Sequence, residues 1–129
     1  MKSDRPSVAI LGASADRSKF GNKSIRSHAA HGYDVYPVNP KGGEIEGLPV
    51  CINLAAVPVQ RLTRISVYLP PPVLLKVLPE VAAKGCDELW LNPGSESPEV
   101  IAKARELGLE PIIGCSIVET GFFPSDFPD

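Results

Sequence analysis

Short apolar runs separated by turn residues constrain the fold of this chain more than any other feature of its sequence. The first run, SVAIL at Ser7–Leu11, is almost continuously apolar, as a strand buried on both faces of a sheet requires. Runs of the same kind predict the remaining strands at residues 34–38, around 49–51, and at 64–69, 88–91 and 110–113.

Helical segments occupy the stretches between these strands. The first is predicted at residues 22–31, with Gly32 after its last turn, where a positive φ costs glycine little. The second runs over residues 72–84, and Pro79 inside it predicts a kink or two short helices in tandem. The other predicted helices lie near residues 54–57 and at residues 98–107.

Alternating strands and helices predict an α/β fold: a single Rossmann-like, doubly wound parallel β-sheet of about five to six strands, with helices on both faces. Residues 1–129 are expected to form one domain, with terminal segments at residues 1–6 and 121–129. Glycine and proline are common in the turns that follow such strands, but four special turns at one edge favour a binding site there. These turns are Gly12-Ala13-Ser14, Asn39-Pro40-Lys41, Pro70-Pro71-Pro72 and Asn92-Pro93-Gly94.

Charge and composition exclude several classes of protein. The net charge of −2 provides no overall basic field for nucleic acid or an anionic membrane. We see neither the apolar region of a signal peptide nor an apolar run of the roughly 18 to 20 residues that a membrane span needs. The three cysteines are an odd set without metal-ligand spacing, which favours reduced thiols. We therefore expect a cytoplasmic protein.

The turn after the first strand is similar to a phosphate-binding turn but lacks the dinucleotide pattern G-x-G-x-x-G. Ser14 and Arg17 stand at its second and third glycine positions, where they fill the space that a dinucleotide pyrophosphate needs. After the second strand, a dinucleotide site has an acidic residue, whereas this chain has Asn39 and Lys41. The lysine favours a ligand with a phosphate on its ribose, such as coenzyme A (CoA) or NADP, over NAD.

Six motifs resemble one known family: VAILGAS at residues 8–14, GYDVYPVNPK at 32–41, GLPV at 47–50, YLPPP at 68–72, LWLNPG at 89–94 and IIGCS at 112–116. The chain resembles the CoA-binding domain of the succinyl-CoA synthetase alpha subunit and of ADP-forming acyl-CoA synthetases, and still more the stand-alone bacterial and archaeal proteins of that family. The synthetases also need a phosphohistidine and further domains, which lie beyond the region this chain covers. The resemblance therefore implies binding of CoA or acyl-CoA without catalysis.

The resemblance also implies which residues contact the ligand. Lys41 matches the family's lysine that meets a CoA phosphate, Pro70 and Pro71 match the turn that flanks the adenine, and the stretch from Leu91 to Pro93 matches the pantetheine path. The first turn departs from the family by being cationic, and the fourth by having Asn-Pro in place of a polar-acidic pair. The candidate cofactor-binding residues are Gly12, Ala13, Ser14, Ala15, Asp16, Arg17, Lys19, Asn39, Pro40, Lys41, Pro70, Pro71, Leu91, Asn92 and Pro93.

The histidines, Cys115, Trp90 and the last residues of the chain are expected to have structural roles and not to bind the ligand. His28 and His31 have a spacing that could serve a metal, but without a third ligand nearby we expect surface or helix-end histidines and no metal site. Cys115 is expected to be a buried structural cysteine, with a redox role beside CoA as the alternative. Trp90 is expected in the core. The segment of residues 121–129 is expected to pack back on the domain or to contact a partner chain.

Two alternatives to CoA binding stay open at this point. One is an NADP(H)-binding reductase-like domain, and the other is a regulatory or interaction subunit whose nucleotide site has decayed. The expected partners are a small-molecule nucleotide cofactor and either a second copy of the chain or an enzyme subunit, without nucleic acid or membrane.

Overall fold

The computed structural model describes residues 4–129, so residues 1–3 of the predicted amino-terminal segment lie outside the described residues. Along the chain the elements are β1 (Ser7–Leu11), α1 (Phe20–Ala30), β2 (Asp34–Val38), β3 (Glu44–Ile45), β4 (Leu48–Pro49), β5 (Leu62–Val67), α2 (Pro71–Lys84), β6 (Cys86–Leu91), α3 (Pro98–Glu106), β7 (Pro111–Ile113) and α4 (Ser116–Glu119). Short 3-10 turns lie at Leu54–Ala56 and Pro124–Asp126.

Five strands of the described region form one parallel sheet in the order β2-β1-β5-β6-β7. From β1 the chain winds outward to β2, then crosses to β5 on the other side of β1, so the strand order switches between β1 and β5. Helices α1 and α4 pack together on one face of the sheet, and α2 and α3 pack together on the other. The predicted Rossmann-like, doubly wound fold is confirmed.

The central position of β1 explains why its residues from Val8 to Leu11 are all apolar. Val8 and Ile10 pack with Ile25 of α1, whereas Ala9 and Leu11 point into the larger cluster beneath α2 and α3. These four strand residues are at most 3% exposed. A strand that buries both faces favours apolar side chains on each of them, and β1 was for this reason recognisable in the sequence.

Some element boundaries differ from the predicted ones. Helix α1 begins at Phe20, two residues before the predicted start, and β5 begins and ends two residues earlier than predicted. The weak strand expected around residues 49–51 belongs to the small antiparallel hairpin of β3 and β4, and Cys51 adds a single parallel bridge to Val38.

Helix α2 is continuous from Pro71 to Lys84, so of the two predicted alternatives the tandem helices are wrong, and the kink stays a prediction. Pro79 is exposed, while Leu74, Leu78 and Val81 are fully buried on the core side of the same helix. A proline removes one backbone hydrogen bond of the helix. Burial of the apolar side chains on either side of Pro79 outweighs that loss and keeps the helix in one piece.

A buried arginine organises the face of the sheet beneath α1 and α4. Arg64 of β5 is 2% exposed, and its Nη2 lies 2.8 Å from Glu88 Oε1 and 2.6 Å from Glu119 Oε2. Its guanidinium carbon also lies 5.2 Å from the ring centroid of Tyr33 and 5.1 Å from that of Trp90. Two carboxylates and two aromatic rings thus compensate the loss of water around this charge.

The prediction for Trp90 was wrong, and that for His28 holds only in its helix-end alternative, since His28 lies in the last turn of α1. Trp90 is only partly buried, contacts the Arg64 guanidinium and donates its indole N–H to Glu88 Oε1 at 2.8 Å, so it belongs to the arginine cluster and not to the apolar core. His28 is fully buried and not at the surface. Its Nε2 accepts from Arg64 Nη1 at 3.2 Å and its Nδ1 donates to the Ser24 carbonyl at 2.8 Å, and these bonds compensate for burial.

His28 should make the stability of the fold depend on pH between about 6.5 and 4. Burial, with the charges of Arg64 and His31, lowers the pKa of His28 from 6.5 to about 4. In that window the unfolded chain binds a proton that the folded chain does not, so stability rises with pH and falls on acidification. From pH 7 to pH 5 this group alone should cost about 2 kcal/mol of unfolding free energy.

Urea unfolding at pH 7 and pH 5 measures this effect. His28→Gln keeps a hydrogen-bond donor and an acceptor but cannot titrate, so its stability should fall less between the two pH values than that of the unaltered protein. An identical fall in the two proteins would contradict the assignment to His28.

The carboxy-terminal residues 122–129, here called the tail, pack back on α1. Lys23 Nζ donates to the Phe127 carbonyl at 2.7 Å, and Arg26 Nη1 donates to the Pro128 carbonyl at 2.8 Å. The rings of Phe122 and Phe127 meet edge to face with centroids 5.3 Å apart. The expectation that this segment packs on the domain is confirmed, and contact with a partner chain stays a prediction.

Within residues 4–129, no helix has the length and apolar character to cross a membrane.

Candidate functional site

A cleft of about 500 Å³ opens at the carboxyl edge of the sheet, where β1, β5 and β6 end beside the first turn of α1. This position is the switch in strand order, where doubly wound sheets bind their ligands. We call it the main cleft. It is lined by Gly12, Ala13, Ser14, Lys19, Phe20, Gly21, Asn39, Tyr68, Leu69, Pro70, Pro93, Gly94 and Ser95.

A second cavity of about 310 Å³, here called the side pocket, adjoins the main cleft. The two share Gly12, Asn39 and Leu69 in their linings, so they lie side by side at the sheet edge, and together they are called the depression. The side pocket is mainly apolar, and Glu80 is the charged residue of its lining within the described part of the chain. Its other lining residues are Leu11, Val38, Pro40, Ile52, Asn53, Leu54, Val73 and Val77.

Two glycines allow the main cleft to form. Gly12 has φ +85°, and a Cβ atom added there would lie 2.8 Å from the Tyr68 carbonyl oxygen of the neighbouring strand end. Gly21, in the first turn of α1, packs so closely on the Gly12 carbonyl that a side chain there would collide with it. The turn after β1 is thus held between the end of β5 and the start of α1.

The first loop, residues 12–19, is built by hydrogen bonds among its own side chains. The Ser14 hydroxyl accepts from the Asp16 N–H at 3.1 Å, and Asp16 Oδ1 accepts from the N–H and the hydroxyl of Ser18 at 3.0 and 2.6 Å. The two bonds from Ser18 lower the pKa of the Asp16 carboxyl below its usual value. The Asp16 carboxylate therefore stabilises the loop conformation, since its Oδ1 already accepts two hydrogen bonds from Ser18.

The first turn of α1 provides the positive end of the site. Lys19 stands at the N-cap with no side-chain cap, and no acidic residue lies in the first turn. The first N–H groups of a helix have no partner within the helix and carry part of its positive dipole. Since Lys19, Phe20 and Gly21 all line the main cleft, an anionic group bound there meets the lysine and this helix end together.

The other predicted cations lie outside the cavity linings. Arg17 pairs with Glu46 of the β3–β4 turn, with Nε and Oε2 3.5 Å apart. Lys41 is exposed in the turn after β2, where its N–H donates to Asn39 Oδ1 at 2.9 Å. Asn39 in turn donates from Nδ2 to the Ala13 carbonyl at 2.9 Å and so ties this turn to the first loop.

A buried polar network supports the turn after β6. Asn92 is 1% exposed, donates to Ser66 Oγ at 2.9 Å and accepts from the Ser116 N–H at 2.8 Å. The Tyr68 hydroxyl lies 3.1 Å from Ser116 Oγ, and burial raises the pKa of Tyr68. Asn92 therefore holds the turn that brings Pro93 to the cleft, while its neighbour Leu91 is fully buried in the core.

The structure brings about half of the predicted site residues to the depression. In the main cleft are Gly12, Ala13, Ser14, Lys19, Asn39, Pro70 and Pro93, and Pro40 lies in the side pocket. Outside both linings are Ala15, Asp16, Arg17, Lys41, Pro71, Leu91 and Asn92. Whether any of them contacts a ligand stays a prediction, but Leu91 and Asn92 have almost no exposed surface to offer one.

Several lining residues of the main cleft were not among the candidate cofactor-binding residues. They are Phe20, Gly21, Tyr68, Leu69, Gly94 and Ser95 in the main cleft. A signal existed for part of this set, because Tyr68 and Leu69 directly precede the Pro70 turn and Gly94 and Ser95 directly follow Pro93. Nothing in the sequence indicated that Gly21 would contact Gly12.

Comparison with known families matches residues 6–121 to the family described as CoA binding domain. The chain belongs to this family of CoA-binding domains. The resemblance stated from its motifs is therefore confirmed.

This CoA-binding domain is 34% identical over 135 residues to the acetate–CoA ligase (ADP-forming) I subunit alpha of Pyrococcus furiosus, a match that covers 92% of this chain and 29% of that subunit. A Thermus thermophilus protein described as cell-free ID.343 has a solved structure with 31% identity and a TM-score of 0.82, covering 91% of this chain and 89% of that one. A conserved hypothetical protein from Pyrococcus furiosus gives 33% identity and a TM-score of 0.77, covering 89% and 98% of the two chains. The chain spans less than a third of the length of the curated relatives that it matches.

The cysteines of this CoA-binding domain are not arranged for metal binding. Cys51 and Cys86 pack against the core, and burial raises the pKa of both thiols, that of Cys86 to about 11. Cys115 is partly buried at the N-cap of α4. Over residues 4–129, no group of three or more histidine, cysteine, aspartate or glutamate side chains is placed to hold a metal ion.

Proposed function

We propose that this domain binds CoA or acyl-CoA and does so without catalysing a reaction. One observation carries the proposal: the main cleft, lined by Lys19 and the start of α1, adjoins an apolar side pocket. CoA has two parts that match these cavities: an anionic diphosphate for the main cleft and an aromatic adenine for the side pocket. The membership of the chain in a family of CoA-binding domains supports the same ligand.

The diphosphate is proposed to lie on the first loop and the start of α1. Lys19 and Ser14 line the main cleft beside the uncapped helix start, and an ammonium group and a hydroxyl are both suited to phosphate oxygens. A charge-assisted hydrogen bond contributes about 1.5 to 3 kcal/mol. Two or three such contacts, with burial of the adenine, give a Kd on the order of micromolar.

The adenine is proposed to enter the side pocket between Pro40, Leu69 and Val73, whose apolar surfaces suit an aromatic base. Lys41 then lies next to that pocket in sequence, on the exposed turn that also carries Asn39 and Pro40. Its long flexible side chain is proposed to reach the ribose phosphate. The pantetheine arm would leave over the turn from Pro93 to Ser95.

The ionisable groups of the main cleft support binding over catalysis. Within the described residues of its lining these groups are Lys19 and Tyr68. The Tyr68 hydroxyl is engaged with Ser116, and burial raises the pKa of Tyr68. A general base must be available to take a proton near neutral pH, and Tyr68 is not suited to that task.

Calorimetric titration with CoA and with dephospho-CoA tests the proposal. Lys41→Ala should weaken CoA binding about tenfold, since one charge-assisted contact is worth about 1.5 kcal/mol, and should leave dephospho-CoA binding unchanged. Lys19→Ala should weaken both ligands, because both carry the diphosphate. Lys76→Ala is the matched control, since Lys76 is an exposed lysine of α2 outside both cavity linings.

Two results would overturn the proposal. Tight NADPH binding with none to CoA would replace it by the reductase-like alternative. Absence of binding across a panel of adenine nucleotides would favour a regulatory subunit with a decayed site. Turnover of an acyl-CoA by the purified protein would contradict the non-catalytic part alone.

We propose further that residues 1–129 act as one cytoplasmic domain that associates with a second copy or with a partner enzyme subunit. The much greater length of the acetate–CoA ligase subunit supports the idea that such domains work beside others. Light scattering of the purified chain, with and without CoA, measures its association state.

A further inference from the structure

Arg26 connects the tail to the first loop. Its Nη1 donates to the Pro128 carbonyl at 2.8 Å, and its Nη2 donates to the Phe127 carbonyl at 3.2 Å. The same Nη2 donates to the carbonyl of Arg17 in the first loop at 3.0 Å. One guanidinium therefore bridges the end of the chain and the loop that borders the main cleft.

A second chain of hydrogen bonds leads from Arg26 to Ser14. Arg26 Nε donates to Asn22 Oδ1 at 2.8 Å, and Asn22 Nδ2 donates to the Ser14 carbonyl at 2.9 Å. Asn22 is fully buried, so its amide cannot exchange these partners for water. The backbone of the loop is thus held at two points, Ser14 and Arg17, by side chains that converge on Arg26.

The tail is itself anchored where it meets Arg26. The Phe127 ring lies 5.8 Å from the Arg26 guanidinium carbon and contacts Phe122 edge to face. Lys23 Nζ donates to the same Phe127 carbonyl at 2.7 Å. The match to the family ends at residue 121, so the tail lies outside the part of the chain that the family shares.

We infer that Arg26 and the tail are positioning elements of the phosphate site: they fix the backbone of residues 14–17 in the form that borders the main cleft. The inference rests on the proposed function. An irregular loop left free would have to be ordered when the ligand binds, at a cost in conformational entropy that weakens affinity. A loop fixed beforehand avoids that cost.

The test uses the full-length chain with Arg26→Ala, Arg26→Lys and Phe127→Ala. Calorimetry with CoA and with adenosine 3′-phosphate measures affinity, and hydrogen exchange measures protection of the amides of residues 14–18. Arg26→Ala should weaken CoA binding about tenfold and leave adenosine 3′-phosphate, which lacks the diphosphate, unchanged. Arg26→Lys should behave like the alanine variant, because one ammonium nitrogen cannot reach Asn22, Arg17 and Pro128 together as the three guanidinium nitrogens do. Phe127→Ala should weaken CoA binding about threefold.

The matched control is Arg105→Ala, because Arg105 is an exposed arginine on the opposite face of the sheet that pairs with Glu110. It should bind as the unaltered protein does. In the Arg26 variants the amides of residues 14–18 should exchange faster, whether or not a ligand is present.

Each contrary result has a distinct meaning. If the unaltered protein binds no CoA, the proposed function fails, and the exchange rates alone decide whether Arg26 orders the loop. If it binds CoA and Arg26→Ala binds equally well, the inference fails while the proposed function stands. Equal weakening of both ligands would indicate general damage, and full binding by Arg26→Lys would indicate a charge effect, so either result would overturn the positioning role. Should Arg26→Ala fail to fold, Phe127→Ala carries the same comparison.

Discussion

Replacing Arg64 by alanine should destabilise the domain by about 3 kcal/mol. The guanidinium is 2% exposed and is bonded to Glu88, Glu119 and His28. Its removal leaves a cavity between Tyr33 and Trp90, brings two carboxylates together without a cation, and leaves His28 Nε2 without a donor. Breaking a buried ion pair typically costs about 3 to 5 kcal/mol, and the value here lies at the lower end because both carboxylates are partly exposed and can regain water.

Urea unfolding at pH 7 measures this loss. The matched control is Arg61→Ala, because Arg61 also pairs with an acidic residue, Asp87 at 2.9 Å, but both side chains are largely exposed. That control should lose no more than about 1 kcal/mol. Since Arg64 lies outside the cavity linings, CoA affinity of the folded Arg64→Ala variant should stay within a factor of about two. A loss no larger than that of the control would show that the cluster contributes little to stability.

Gly12→Ala should cost about 3 kcal/mol of stability and also remove most of the affinity for CoA. An alanine there must adopt φ +85°, and its Cβ must in addition lie 2.8 Å from the Tyr68 carbonyl oxygen. The backbone of β5 cannot move away without breaking its bonds to β1. The first loop has to shift instead, which displaces Ser14 from the main cleft.

Gly32→Ala separates the cost of the positive φ from the cost of the contact with the Tyr68 carbonyl oxygen. Gly32 has a similar φ of +94°, but a Cβ added there meets no atom within 4 Å. This control should lose only about 1 kcal/mol, the cost of the backbone conformation alone, and should bind CoA normally. Thermal or urea unfolding with calorimetry for both variants provides the comparison. Equal losses in the two variants would mean that the contact with Tyr68 costs nothing.

The sheet and its four special turns could be predicted because their signals are local. A strand such as β1, apolar on both faces, stands out from its neighbours, and glycine or proline marks the places where each strand stops. The turn after β1 and the turn after β2 therefore appeared in the sequence as candidate binding segments, and both border the depression at the sheet edge.

The features that could not be predicted depend on partners far apart in the chain. Arg64 looked like an ordinary strand residue, yet its partners His28 and Glu119 come from α1 and α4. The side pocket combines Ile52 of an irregular segment with Val73 of α2, and no spacing in the sequence relates the two. The same holds for Gly21, whose contact with Gly12 requires the helix to be already docked on the sheet.

The close contact between Gly12 and Gly21 has a consequence for how the protein responds to its ligand. Because Gly21 packs closely on the Gly12 carbonyl, we expect the turn and the start of α1 to move together. The free and occupied forms should therefore superpose in this region within about 1 Å, as in other preorganised sites. Ligand association should accordingly be fast and free of a slow conformational step, and differences in affinity among acyl-CoAs should appear in the rate of release.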